Sequence, residues 1–219
     1  MTYAPRNKNA QKFFTQYQSL IFDQVHRDWL PQLEGITGLA LDVGAGSGRD
    51  ALALADRGWD VVAVEPAAGL RELGQSATKD KSIQWIDDQL PDLNQVRKLS
   101  YRFNLNLVSA VWMHIPPTVR ERAFRILAEL LAPGGMLVVT LRHGSGDGER
   151  VFYDVSREEL EAFAKHRALI PVALPAGRND DQLKRPEVSW ETLAFRSRCS
   201  ATASERQQTA RRADCWRLV

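Results

Sequence analysis

Cysteine is nearly absent from this 219-residue chain: only Cys199 and Cys215 occur, both near its end. Two late cysteines build neither a disulfide framework nor a zinc site, and the four histidines stand at no ligand spacing, so no metal is expected. No apolar run is long enough to cross a bilayer, so no membrane partner is expected. The opening residues, Met1-Thr2-Tyr3-Ala4-Pro5-Arg6-Asn7-Lys8, hold no apolar signal segment. An excess of one charge is lacking too. Lys and Arg number 29 against 27 Asp and Glu, a net charge of +2 that argues against nucleic acid as a partner. Together these absences place the expected setting in a reducing cytoplasm. What remains, 44% hydrophobic and 26% charged, suits an ordinary globular domain with a substantial core.

Periodicity organises the chain. Over 10–29, Phe14, Tyr17, Ile21, Val25 and Trp29 recur at three- and four-residue steps, predicting one helix that stops before Pro31. Short apolar runs at 39–43, 61–64, 83–86, 103–110 and 136–141 read as strands, with Asn104 and Asn106 unusually polar for the fourth. Helical stretches fall between them at 49–57, 70–77, 92–99 and 118–131; Gly58 caps the first and Pro133-Gly134-Gly135 ends the last. After the glycine-rich loop 144–148, Ser156 and Glu159 form a capping box, and runs at 169–174 and 188–196 supply two further strands. Strand and helix alternating in this way mean right-handed βαβ units and a parallel sheet. Residues 1–35 read as a helical cap, 36–196 as the domain, and 197–219 as a basic, flexible tail, solvated rather than bound to nucleic acid.

The chemistry concentrates in Leu41-Asp42-Val43-Gly44-Ala45-Gly46-Ser47-Gly48-Arg49-Asp50, followed by Val64-Glu65. Glycines after a first strand permit a tight turn and close backbone approach to a ligand. An acidic residue about 20 positions on can accept hydrogen bonds from both ribose hydroxyls, and Glu65 stands there. A pyrophosphate binder wants Gly-x-Gly-x-x-Gly, but Arg49 occupies the third glycine's place and Asp42 precedes the turn. A carboxylate there suits a sulfonium and an ammonium better than a pyrophosphate, which argues against a nicotinamide-dependent oxidoreductase.

These residues resemble the first two motifs of class I S-adenosylmethionine-dependent methyltransferases. Ile86-Asp87-Asp88-Gln89-Leu90-Pro91, the stretch Leu107 to Ile115, and Leu131-Ala132-Pro133-Gly134-Gly135 resemble the later motifs, in order. The resemblance implies a Rossmann-like, doubly wound, mostly parallel α/β sheet of seven strands, the last antiparallel, flanked by helices. It implies S-adenosyl-L-methionine as cofactor. Asp42, Gly44, Ala45 and Gly46 would line its methionine end and Glu65 would hold the ribose. Asp87, or its neighbour Asp88, would meet the adenine amino group unless the pair merely caps a loop. Ser109 and Ala110 would contact the cofactor from the fourth strand. The sequence departs from the family's pattern at Asn104, where an aspartate is usual.

Ligands of open α/β sheets sit at the carboxyl ends of the strands. That placement makes His114 and His143 candidate bases and Arg142 a candidate anchor for an anionic acceptor, with a structural histidine the alternative. Phe13, Phe14 and Tyr17 can close over a sulfonium or simply pack a helix on the sheet. The DNA-base methylation motif is missing, since Ser109-Ala110-Val111-Trp112 stands in its place, so a small-molecule acceptor is expected. A non-catalytic cofactor-binding module on the same fold stays open.

Overall fold

A computed structural model describes residues 9–146, 148, 150–175 and 177–198. The N-terminal segment contains α1 (Ala10–Gln18), α2 (Phe22–Val25) and a 3-10 turn at Leu30–Leu33. Strands β1 (Leu39–Val43), β2 (Asp60–Val64), β3 (Ile83–Ile86) and β4 (Phe103–Val108) alternate with α3 (Arg49–Asp56), α4 (Ala68–Ala77) and α5 (Asn94–Lys98). A 3-10 turn at Trp112–His114 leads to α6 (Pro117–Glu129), β5 (Leu131–His143) and α7 (Arg157–His166), then the short β6 (Ile170–Pro171) and β7 (Asn179–Asp180) and the long β8 (Ser189–Arg196).

The sheet runs β3-β2-β1-β4-β5-β8-β6, with β7 also paired to β8. The first five strands are parallel, and β8 is antiparallel to β5, β6 and β7. The expected architecture is therefore present with one strand more than the seven expected; β7, two residues long, carries no periodicity to betray it. Among the described residues no helix is long and apolar enough to cross a membrane.

Strand alternation sorts the sheet into two faces. Leu41, Val43, Val62, Val64, Val139 and Leu141 share one core with Phe124 and Leu127 of α6 and Leu160 of α7. Ala40, Val61, Ala63, Leu105, Leu107 and Val138 share the other with Leu54 of α3 and with Phe22 and Trp29 of the N-terminal segment. On this second face the parity that is apolar along the strands becomes polar at their carboxyl ends. Asp42 follows Ala40, Glu65 follows Ala63, Ser109 follows Leu107, and Thr140 and Arg142 follow Val138.

Several boundaries differ from expectation for identifiable reasons. The single helix expected over 10–29 is broken: Ser19 ends α1, and the chain turns so that Phe22 and Trp29 enter the core while Ile21 stays 56% exposed. Pro133-Gly134-Gly135 does not separate helix from strand. Leu131 already pairs with Phe103, the chain bulges through the two glycines, and pairing resumes at Met136 opposite Leu105. A Cβ on Gly135 would lie 2.7 Å from Phe103 O, so the bulge closes only around glycine. The strand expected over 169–174 shrinks to two residues at the sheet edge, where Pro171 lacks a ladder donor. Asn104 and Asn106 both prove structural. Asn104 Oδ1 accepts from Leu39 N–H at 3.1 Å, and buried Asn106 donates to Leu127 O at 2.8 Å.

Ser156 accepts from Glu159 N–H at 3.2 Å, but the Glu159 carboxylate reaches Arg120 at 3.0 Å instead of completing the reciprocal box. Of the expected tail, Ser197 is docked: its N–H donates to Gly135 O at 2.9 Å and its hydroxyl to Ala132 O at 2.6 Å. Residues 199–219, with Cys199 and Cys215, and residues 1–8 lie outside the described residues.

Candidate functional site

The loop after β1 folds back over the end of β2. Gly44 N–H and Ala45 N–H both donate to Val64 O, at 2.8 and 2.9 Å. That turn requires Gly44 at φ +77°, where Val111 Cγ2 would stand 2.4 Å from any Cβ. Gly44→Ala therefore combines left-handed strain with a clash against a stiff β-branched side chain. It is expected to destabilise the fold by about 2–4 kcal/mol, measured by denaturant unfolding.

Glu65 follows β2 and is fully buried. Its Oε2 accepts from Gly46 N–H at 2.9 Å and its Oε1 from Ala67 N–H at 2.8 Å. The carboxylate is thus clamped against the glycine loop.

Beneath the loop lies a network of buried ionisable groups. Asp50, at the first turn of α3, has one oxygen 2.7 Å from Arg49 Nε and the other 3.1 Å from His26 Nε2. Trp29 Nε1–H donates to His26 Nδ1 at 3.0 Å, so the imidazole proton sits on Nε2 and faces Asp50. Burial pushes Asp50 upward, but the Arg49 guanidinium and then His26 outweigh it and hold the carboxyl well below its usual range. Asp42 moves the other way. Burial first, then the Asp50 charge, raise it well above the carboxylate norm against the counter-pull of Arg49.

Above the loop and the carboxyl ends of β1, β4 and β5 opens a cavity of about 540 Å³. Its floor is Gly44, Gly46, Glu65, Ser109 and Ala110. Ala110, at φ +56°, holds its strained turn through its N–H to Thr140 Oγ1 at 2.8 Å. The N-terminal segment forms the roof. Gln18 Nε2 donates to Ser47 O at 3.0 Å, and the Tyr17 ring lies 3.2 Å from where a Cβ on Gly46 would be. Arg150 stacks between Phe13 and Phe152, 5.2 and 5.1 Å from their centroids. Arg142 lies 4.5 Å from the Phe152 centroid and donates to Gly144 O and Ser145 O at 3.1 and 2.6 Å.

The far wall is the segment around β7. There Asp181 is held below its usual range, since hydrogen bonds from Arg185 and Trp190 Nε1 overcome the upward push of burial. Arg27 donates to Asn179 Oδ1 at 2.5 Å and joins this wall to the roof.

Of the residues singled out from sequence, Gly44, Ala45, Gly46, Glu65, Ser109, Ala110 and Arg142 line the cavity. Asp42 lies below it, buried under the loop. Asp87 is outside the lining, with a 68% exposed side chain 3.0 Å from Arg71. Asp88 is turned away: its carboxylate accepts from the N–H groups of Gln89, Gln95 and Val96 at 2.6–3.0 Å and anchors α5.

His143 and Arg142 cannot share the acceptor side, because neighbours on a strand point to opposite faces. His143 instead meets Glu191 at 3.3 Å, behind the sheet. His114 stands outside the lining, with Nδ1–H donating to Val151 O at 2.8 Å and its ring against Phe152. Tyr17 does reach over the loop, while Phe13 packs with Ala67 and Leu70. Sequence reasoning missed Thr140, Arg150, Phe152 and the β7 wall. Thr140 was accessible in principle, since it shares the parity of Arg142.

The residues present fit the nucleoside that the motifs imply. Ser47 Oγ, on the cavity wall, is buried without a hydrogen-bond partner among the described residues, as is Asp42 Oδ2 beneath it. The glycine loop and the Glu65 carboxylate that accepts from it lie on the same side.

A family profile described as a methyltransferase domain matches residues 40–135. No curated protein sequence matches the chain. Among solved structures, the 1,6-didemethyltoxoflavin-N1-methyltransferase of Burkholderia thailandensis is 16% identical, with a TM-score of 0.64 covering 89% of this chain and 88% of that one. Magnesium protoporphyrin IX methyltransferase from Synechocystis is 12% identical, with a TM-score of 0.60 over 89% of this chain and 80% of that one. The N-methyltransferase NodS from Bradyrhizobium japonicum is 18% identical, with a TM-score of 0.59 over 84% and 97%. At such identities the likeness is one of fold.

Proposed function

We propose that this chain, whose residues 40–135 match a methyltransferase-domain profile, is a class I S-adenosylmethionine-dependent methyltransferase that methylates a small molecule held between the glycine loop and the β7 wall. The observation that carries this reading is the clamped Glu65 carboxylate on the floor of a roofed cavity of about 540 Å³, a volume in the range of small-molecule sites. The roof supports a small acceptor over a macromolecule, because Tyr17, Gln18 and Arg27 tie the N-terminal segment down across the opening. The toxoflavin and protoporphyrin methyltransferases of similar fold, named for small acceptors, support it as well.

The cofactor supplies a methyl group already activated on a sulfonium, so the protein's chief task is alignment. In this reading Glu65 takes the ribose hydroxyls, and Gly44, Ala45, Gly46 and Ser47 meet the methionine end. Asp42 lies beneath that end of the floor, with Oδ2 unpartnered among the described residues. Asp87 meets the adenine amino group, while Asp88 is committed to α5. Ser109 and Ala110 shape the passage between cofactor and acceptor, and Arg142, backed by Phe152, orients the acceptor. His114 backs Phe152 of the lining, while His143, paired with Glu191 behind the sheet, takes no part in the site.

Mass spectrometry of S-adenosylhomocysteine released in the presence of a small-molecule panel tests this directly. Release with at least one small acceptor is the expected outcome. Release confined to protein or nucleic-acid acceptors would overturn it.

A further inference from the structure

Arg49 takes the place that a third glycine would hold in a pyrophosphate loop, and the functions assigned above do not use it. It lines the cavity with a side chain 15% exposed. Its only side-chain hydrogen bond among the described residues runs from Nε to Asp50, so Nη1 and Nη2 make none there, although the charges of Asp42 and Tyr17 also act on the guanidinium. A guanidinium fork held by its Nε is pre-organised to grip a carboxylate with two parallel hydrogen bonds.

The strand order says which carboxylate. Along β3-β2-β1-β4, Asp87 ends β3, Glu65 ends β2, and Arg49 follows the loop that leaves β1. A nucleoside whose ribose lies on Glu65 and whose base lies toward β3 sends its amino-acid tail toward β1. Arg49 stands there. Its orientation is set from the N-terminal segment: Trp29 fixes the His26 tautomer, His26 Nε2 lies 3.1 Å from one Asp50 oxygen, and the other oxygen holds Arg49.

We propose that Arg49 grips the α-carboxylate of the cofactor through Nη1 and Nη2, and that buried His26 is a positioning residue that fixes Arg49 by way of Asp50. This rests on the methyltransferase reading above, and it adds that the N-terminal segment controls affinity for the amino-acid tail.

Calorimetric titration with two ligands tests it: S-adenosylhomocysteine, which carries the tail, and 5′-methylthioadenosine, which lacks it. Arg49→Met is expected to weaken S-adenosylhomocysteine by about 10- to 100-fold, the worth of a charged hydrogen-bonded pair, and to change methylthioadenosine less than about twofold. His26→Phe should lower the affinity ratio of the two ligands in the same direction, and His26→Gln, which keeps an N–H toward Asp50, should restore part of it. Methylthioadenosine binding also reports that each variant is folded.

Equal weakening of both ligands, or of neither, overturns the proposal. Arg49→Lys, which keeps the charge but not the fork, is read by the same ratio if Arg49→Met binds neither; loss of both ligands in both variants also overturns it. Wild-type protein that binds neither ligand sinks the cofactor site itself, a result distinct from wild-type binding with an unchanged ratio in the variants.

Discussion

Glu65→Ala is expected to lower affinity for S-adenosylhomocysteine by about two to three orders of magnitude, with each charged hydrogen bond worth about 1.5–3 kcal/mol. The loss has two sources. The first is the pair of ribose hydroxyls deprived of a charged acceptor. The second is the loop, because Gly46 N–H and Ala67 N–H both donate to this carboxylate and would be left without an acceptor in a buried place. Ligand-free stability should therefore fall as well, by about 2–4 kcal/mol for the two orphaned donors.

Glu65→Gln separates the sources. An amide keeps one acceptor oxygen but turns its NH2 toward the other donor, so it should restore part of the stability and little of the affinity. Calorimetry and thermal unfolding on the same samples measure both. A Glu65→Ala protein that binds S-adenosylhomocysteine like wild type would remove the carboxylate from the site.

Much of this architecture was legible before any coordinates, and the reason is periodicity. Buried parallel strands read as continuous apolar runs, and β1, β2 and β3 were bounded to within a residue. The glycine loop and Glu65 were legible because a tight turn and a ribose acceptor impose residue types at a fixed spacing. What stayed hidden depends on tertiary context. The stripe from Phe14 to Trp29 matches a helical period, but Phe22 and Trp29 gain more by entering the core under α3 than by continuing a helix. Asp87 and Asp88 are adjacent carboxylates, and only the start of α5 decides that Asp88 is the one consumed by backbone donors. The partnership of His26 and Asp50 spans 24 positions and carries no local pattern at all. The opposite facing of Arg142 and His143 was legible, since strand alternation alone forbids both from lining one cavity.

That buried partnership gives the second large effect. Asp50→Ala would strand the Arg49 guanidinium and the His26 Nε2–H against a methyl group, and breaking a buried ionic contact from one side costs about 3–5 kcal/mol. The two acids of the network make the loss depend on pH in a definite way. Asp50 is held below its usual range, so its stabilising contribution is complete above about pH 4 and is lost as the pH falls further. Asp42 is raised, so the native state keeps its proton longer than the unfolded chain does. Wild-type stability therefore declines as the pH climbs from about 4 toward the raised value.

Removing Asp50 takes away the neighbouring charge that is the second cause of the Asp42 shift, which flattens that decline. The stability gap between wild type and Asp50→Ala should accordingly be widest just above pH 4. It should narrow toward more acid pH, as Asp50 is neutralised, and also toward neutrality, as Asp42 ionises more readily in the variant. Urea unfolding from pH 3 to pH 8 traces this curve. A gap that widens steadily below pH 4 would mean that Asp50 is not the ionised centre of the network.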